Sequence, residues 1–332
     1  MKKILNRPAD YVDETLEGLL AAHPDLLRRV GESGRVVARA GGAERGKVGI
    51  VTGGGSGHLP VFLGYVGHGL LDACAVGNVF AGPRVADCQD AMRAADGGAG
   101  VLQLYGNYGG DRMNFDMARE MMELEGMQVA SVRIADDVAS ASPAESEKRR
   151  GVAGMIYAFK VAGARAAAGG SLAEVASVAA RAARACRSIG VALTPCVIPE
   201  TGQASFSIAE DEMEFGMGIH GEPGIWRGKL KTADALAEEM LDRLLPECAL
   251  KRGDRVAVLV NSLGATPHEE LYILYRRIAR ILGERGIQPV KPLVGRFATS
   301  MEMSGASLTL MPLDGELESL LMAPAECPFW KF

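Results

Sequence analysis

The sequence predicts an α/β protein of two domains, each a β-sheet flanked by helices, with the N-terminal sheet largely parallel. Three observations carry that prediction. Twice in the first half an apolar run of strand length gives way to a polar, glycine-rich stretch and then an apolar or amphipathic one: residues 47–52 (KVGIVT) before 53–58 (GGGSGH), and residues 100–104 (GVLQL) before 106–111 (GNYGGD). Strand, polar loop and helix in repetition is how a parallel sheet is wound. The 332 residues, 48% hydrophobic and 23% charged, suffice for two cores of about 150 residues each. Composition then shifts after an alanine-rich stretch ending near Arg187, which divides the chain into domains of residues 1–187 and 188–332.

Taken in order, Val12, Leu16, Leu19 and Leu20 recur at helical spacing between Asp13, Glu14 and Glu17, predicting an amphipathic helix over Tyr11–Ala22 that stops near Pro24. Residues 35–40 and 47–52 read as strands. The second runs into the glycine-rich turn at 53–58 and then an apolar helix, a layout that presents ligand-binding groups at the carboxyl end of a parallel sheet. A strand over residues 71–79, a helix over 85–95, a strand over 100–104, a helix from Met113 to Glu125 and a strand over 129–134 continue the alternation to Asp136 and Asp137. Two alanine-rich helices follow, the second opening on a capping box formed by Ser171 and Glu174.

Beyond Arg187, residues 190–199, 205–208 and 212–215 read as strands, 232–245 as a helix and 255–261 as a buried strand. Thr266 as N-cap, Pro267 at the first helical position and Glu269 at the third start a helix that runs to Glu284. Strands at 289–294 and 307–312 complete the second domain.

Several function classes are excluded on composition. The formal charge is −5 and no Lys/Arg block interleaves with aromatics, so no nucleic-acid partner is expected. The six cysteines lie far apart with no C-x-x-C pair and no zinc spacing, which predicts reduced thiols and no metal on the chain. No run of about 20 apolar residues occurs, and Lys2 and Lys3 precede too short an apolar stretch for a secretion signal. A cytoplasmic protein without a membrane partner is expected.

The segment 213–224 (MEFGMGIHGEPG) draws most interest, because His220 stands among four glycines with Glu214 and Glu222 on either side. Such glycine density shapes a loop that a ligand can approach, and an imidazole there is a nucleophile near neutral pH. The competing reading is a loop histidine bonded to its neighbours for structure. His58 follows the first glycine-rich turn and Asp111 the second, so both belong at the sheet edge; a solvated ring and a helix cap are their ordinary alternatives. His23, His68 and His268 read as structural or solvated, and Asp136 and Asp137 as turn formers. A nucleotide loop at 53–58 is disfavoured, since no Lys-Ser/Thr follows at the spacing such loops need. The G-x-G-x-x-G match at 216–221 is interrupted by Pro223 and precedes no helix.

Five segments, GGGSGH (53–58), NYGGDRMNF (107–115), RRGVAG (149–154), MEFGMGIHGEPG (213–224) and NSLGATPHEELY (261–272), resemble the substrate-binding subunit of dihydroxyacetone kinase, in the family's order and across most of the chain. The resemblance implies that His220 attacks a ketone carbonyl to form a covalent hemiaminal. It implies Asp111 as general base on the terminal hydroxyl, His58 as its hydrogen-bonding partner or co-carrier of the proton, and Gly55, Ser56 and Gly57 as main-chain contacts. It further implies a homodimer without a cofactor of its own, inactive alone, whose Mg²⁺ and ATP or ADP sit on a separate nucleotide-binding L-type subunit, with a phosphotransferase-system donor where ADP is recharged. The same subunits resemble coregulators that sense the ketose on a transcription factor. Two departures stand out: Gly106 replaces the family's lysine and Leu59 its glutamate. The lost lysine predicts a wider, less polar pocket, fitted to a larger ketose such as erythrulose or apulose.

Overall fold

The computed structural model describes residues 2–331. Helix α1 (Tyr11–Ala22) buries Val12, Leu16 and Leu19, as its spacing requires. The first sheet contains β1 (Leu27–Val30), β2 (Val36–Arg39), β3 (Gly49–Ser56), β4 (Ala73–Val79), β5 (Val101–Gly106) and β6 (Val129–Ile134) in the order β1-β2-β4-β3-β5-β6. The four strands from β4 to β6 pair in parallel, and β1 and β2 extend them antiparallel. The largely parallel sheet is therefore as expected.

Helices α2 (Val85–Ala95) and α3 (Gly109–Leu124) cover one face of this sheet, packing Cys88, Met92, Phe115 and Met122 against Val36, Val51, Val101 and Tyr105. The other face meets α4 (Met155–Ala167) and α5 (Leu172–Ala185). Helix α4 is apolar nearly all round and is buried accordingly. Its Gly163 lets it touch the chain at Gly69, whose backbone a Cβ would overlap. The Ser171–Glu174 capping box forms as predicted.

The second sheet holds β7 (Arg187–Thr194), β8 (Glu212–Phe215), β9 (Trp226–Lys229), β10 (Arg255–Ser262), β11 (Gln288–Gly295) and β12 (Ser304–Leu313), ordered β11-β10-β12-β7-β8-β9. Its pairings are antiparallel except β10 with β11. Helices α6 (Ala233–Cys248) and α7 (His268–Glu284) pack on one face through Met240, Leu244, Leu274 and Ile278. On the other face, Ala257, Leu259, Leu293 and Met311 join the cluster built around α4 and α5, so one apolar layer is shared by both sheets. Short α8 (Gly315–Met322) adds Leu317 and Leu321 to it.

Local chemistry overrode the sequence pattern at several points. Gly53, Gly54 and Gly55 do not form a turn; they continue β3 in register with Ala75, Val76 and Gly77. No apolar helix follows them, only the single 3₁₀ turn Leu63–Tyr65, because Phe62 takes a positive φ of 69° and Gly64, Gly67 and Gly69 interrupt the run. Thr266 does not cap α7: its hydroxyl donates to the carbonyl of Gly305 (2.7 Å) and accepts from the Gly305 N–H (2.8 Å), and Pro267 takes the cap position. Residues 205–208 form no strand, whereas the four-residue β9, where no strand was expected, does.

Arg149 is 1% exposed and ties the two halves together. Its Nη1 and Nη2 donate to both oxygens of Glu247 on α6 (2.6 and 2.9 Å), and its Nε donates to the carbonyl of Ala141 (3.0 Å). Arg187 Nε also donates to Glu247 (3.0 Å), so the carboxylate keeps a cation when Arg149 is removed. Arg149→Ala is therefore expected to lower stability by about 2 kcal/mol in urea unfolding, the scale of a lost hydrogen bond to a charged group.

Candidate active site

The carboxyl end of β3 is shaped by close approach. A Cβ at Gly54 would overlap the ring of Phe62, and one at Gly55 would lie 2.7 Å from the Ala81 nitrogen. At Gly57 the chain turns through a φ of 100° and drives His58 inward, leaving it 1% exposed. Its Nδ1 lies 2.6 Å from the carbonyl oxygen of Thr299. A carbonyl accepts, so Nδ1 carries the proton and Nε2 presents a lone pair. That Nε2 is buried and has no partner among the described residues. Burial, followed by the neighbouring His220, pulls the His58 pKa down to about 3, so the ring is neutral at physiological pH.

Helix α3 begins at Gly109, four residues earlier than the sequence pattern suggests, with Tyr108 at its N-cap. Asp111 consequently lies in the first turn, and its carboxylate makes no capping bond. The residue is 8% exposed, and its Oδ1 is buried without a partner among the described residues. Burial raises its pKa to about 6, against an opposing pull from His220. Its carboxyl therefore holds its proton to higher pH than an exposed aspartate would.

His220 lies in the loop between β8 and β9 with 24% of its side chain exposed. Its Nδ1 is 2.9 Å from Glu222 Oε1, and its backbone N–H donates to Glu222 Oε2, also at 2.9 Å. Burial opposes ionisation of Glu222, but the hydrogen bond and charge of His220 outweigh it and bring the carboxyl to about 2. In the neutral ring the carboxylate accepts from Nδ1–H, which leaves the lone pair of His220 on Nε2. The ring packs edge-on against His58 (4.7 Å between centroids), Tyr108 (4.8 Å) and Phe80 (5.6 Å). Two histidines from distant stretches of sequence therefore meet ring to ring, and Asp111 is near enough to feel the charge of His220.

The family model described as the Dak1 domain matches residues 17–329. The chain belongs to the Dak1 domain family. It is 44% identical over 331 residues to a Listeria innocua protein named PTS-dependent dihydroxyacetone kinase 2, dihydroxyacetone-binding subunit DhaK, covering 100% of this chain and 99% of that one. It is 43% identical to the L-erythrulose kinase of Pectobacterium atrosepticum, covering all of this chain but 56% of that protein. Among solved structures, the dihydroxyacetone kinase of C. freundii superposes with a TM-score of 0.91 at 33% identity, covering 99% of this chain and 60% of that chain.

Within this Dak1 fold the other matched motifs act as scaffold. Asn107 donates to the carbonyls of Glu147 (3.0 Å) and Arg149 (2.8 Å), and the Tyr108 hydroxyl donates to that of Gly151 (3.0 Å), so NYGGD is held by RRGVAG. Asn261 Oδ1 accepts from the N–H groups of Phe297 and Ala298, which places the Thr299 carbonyl that orients His58. Ser56 donates its hydroxyl to the carbonyl of Gly77 (2.9 Å), and the Gly57 carbonyl accepts from Met301 N–H (2.7 Å). Phe80, Gly82 and Thr299 had no signal in the sequence, being ordinary residues far from any motif. Glu222 was visible as a flanking carboxylate, but its bond to Nδ1 was not.

Gly106 corrects one expectation. A Cβ there would lie 3.2 Å from both Met155 Sδ and the Tyr108 ring, so those side chains fill the room beside the backbone, and the glycine opens no wider pocket at that point. Leu59 packs against the main core and lines a separate cavity of about 140 Å³ behind the glycine loop, with Tyr11, Arg296 and Thr299. His58 lines that cavity, whereas Asp111 and His220 do not. Among the described residues no three His, Cys, Asp or Glu side chains gather as a metal site, and no helix is long and apolar enough to cross a membrane.

Gly82 faces Asp111 so closely that a Cβ would stand 2.5 Å from Oδ1. Gly82→Ala is expected to displace the carboxylate and lower kcat on the order of 10²-fold in a protein that still folds, measured by steady-state kinetics with the phosphoryl-donor subunit.

Proposed function

We propose that the chain is the ketose-binding subunit of a dihydroxyacetone kinase-type phosphotransferase. The observation that carries this reading is the pairing of two buried, unpartnered polar atoms, His58 Nε2 and Asp111 Oδ1, with an imidazole whose Nε2 lone pair is free. Buried polar atoms without partners are costly, and a polyhydroxy ligand satisfies them.

In this reading His220 Nε2 attacks the ketone carbon. A C–N bond forms, the carbonyl π pair moves to oxygen, and that oxygen takes a proton from solvent. The resulting imidazolium is held by the ionised Glu222. The terminal hydroxyl then donates to His58 Nε2 or Asp111, and Asp111 removes its proton as the hydroxyl attacks a phosphoryl group. A carbonyl accepts a nitrogen nucleophile and an alcohol does not, so the covalent step separates ketoses from glycerol by chemistry. Dihydroxyacetone and erythrulose, both present in relatives' names, define the small-ketose class.

The phosphoryl donor and its Mg²⁺ belong on a separate nucleotide-carrying subunit, fed either by ATP or by a phosphotransferase-system protein. We further assign the chain to the cytoplasm as a homodimer. The test of the covalent assignment is a crystal soaked with dihydroxyacetone or L-erythrulose. Continuous density from the ketose carbon to His220 Nε2 is expected; density joined to another residue, or persisting in His220→Ala, sinks the assignment.

A further inference from the structure

Arg150 takes no part in the chemistry above, yet it touches the His220 loop at both ends. Its side chain is 14% exposed. Nε and Nη2 reach Asp137 Oδ2 at 2.9 and 2.8 Å, Nη2 also donates to the carbonyl of Gly216 (3.2 Å), and Nη1 lies 3.9 Å from Glu222 Oε2. Asp137 is itself fixed, accepting from Ala139 N–H (3.0 Å) at Oδ1, and its own N–H donates to the Arg150 carbonyl (3.1 Å). The Asp137–Arg150 pair is thus a rigid post on the segment between β6 and α4. Gly216 opens the loop and Glu222 follows the imidazole.

The loop needs such a post. Gly216 and Gly221 both adopt positive φ (86° and 83°), and a chain this rich in glycine samples many conformations unless held. Buried Met217 and Ile219 anchor its apolar side. On the polar side Gly218 supplies the gap for the guanidinium: a Cβ there would lie 2.7 Å from Arg150 Nη1 and overlap Glu222 Oε2. A planar fork suits the task, because one guanidinium engages a carboxylate and a carbonyl at once.

We propose that Arg150 is a positioning residue for the covalent step: braced on Asp137, it clamps the loop and Glu222 and so holds His220 at the spacing from His58 and Asp111 that one ketose can span. The proposal rests on the reading that His220 carries the ketose. Misplacing a reacting group by about 1 Å can cost on the order of 10²-fold.

The test is calorimetric titration of the full chain with dihydroxyacetone and L-erythrulose, alongside soaked crystals and melting curves. Arg150→Ala is expected to weaken ketose binding on the order of 10²-fold and to empty the density on His220. Arg150→Lys recovers part of the affinity, since one ammonium cannot hold Asp137 and Gly216 together. A residue serving stability alone would lower the melting temperature and leave adduct occupancy untouched. A folded Arg150→Ala protein with wild-type dissociation constants and full adduct density overturns the proposal. If Arg150→Ala fails to fold because Asp137 is left buried without a cation, Arg150→Lys carries the same question with a cation kept beside Asp137. Ketose binding weaker than wild type in that variant supports the clamp and unchanged binding refutes it. Failure of the His220 reading is told apart in the wild type, where ketose density would join no histidine.

Discussion

Asp111→Asn should abolish most turnover while making the protein more stable. Asparagine keeps the shape of the side chain but cannot take a proton, and a general base contributes about 10²- to 10⁴-fold. A fall in kcat of that order is expected in assays with the phosphoryl-donor subunit. The pH profile gives a second reading. With its pKa raised from 3.8 to about 6 by burial, Asp111 is protonated and useless as a base in acid, so wild-type kcat/KM should drop roughly tenfold per pH unit below about 6. The variant should lose that limb.

Stability moves the opposite way. The folded carboxyl holds its proton where the unfolded one, near 3.8, has already lost it, so its contribution is full below pH 4 and is lost as pH climbs through about 6. A shift of about two units corresponds to roughly 2–3 kcal/mol at neutral pH, and the uncharged amide avoids that cost. A higher melting temperature at pH 7.5 than at wild type is the expected result. A variant that keeps wild-type kcat, or retains the acid limb, would remove Asp111 from the mechanism.

His220→Ala should erase the distinction between a ketone and an alcohol. Without the nucleophile, a ketose is held only by the hydrogen bonds that glycerol makes equally well, so the two affinities should converge to within about tenfold. Loss of covalent orientation should lower kcat/KM for dihydroxyacetone by about 10²-fold or more. Titration calorimetry with the ketose and glycerol, together with single-turnover kinetics, separates the binding loss from the orientation loss. Retained preference for the ketose would place the nucleophile elsewhere.

Most of the first sheet was legible because its strands are continuous apolar runs bounded by glycine, and α1, α2 and β6 emerged with the bounds their periodicity implied. Two of the errors share a cause: a residue type with two jobs. Glycines at 53–55 suggested a turn, but they thin a strand so that Phe62 and the 80–82 segment can press against it. A helix cap was the ordinary alternative for Asp111, and its burial inside the first turn of α3 cannot be read from spacing. Likewise Thr266 has the chemistry of an N-cap and spends it on Gly305 across the sheet. In the site, His58, Asp111 and His220 were visible through their glycine-rich settings. Their supports were not, since Phe80, Thr299 and Gly82 gain meaning only from contacts made across long sequence separations.

The bond from His58 to Thr299 spans 241 residues. It therefore fixes an order of events for a chain leaving the ribosome. The residues of the first sheet and of α2 to α5 are made first, but the imidazole has no carbonyl to orient it until β10 and β11 have been synthesised and docked. A nascent chain halted at α5 would lack both that carbonyl and the second sheet's share of the common apolar layer. Ketose should therefore protect finished molecules against proteolysis and leave arrested ones as vulnerable as before, making the metabolite a marker of completed synthesis.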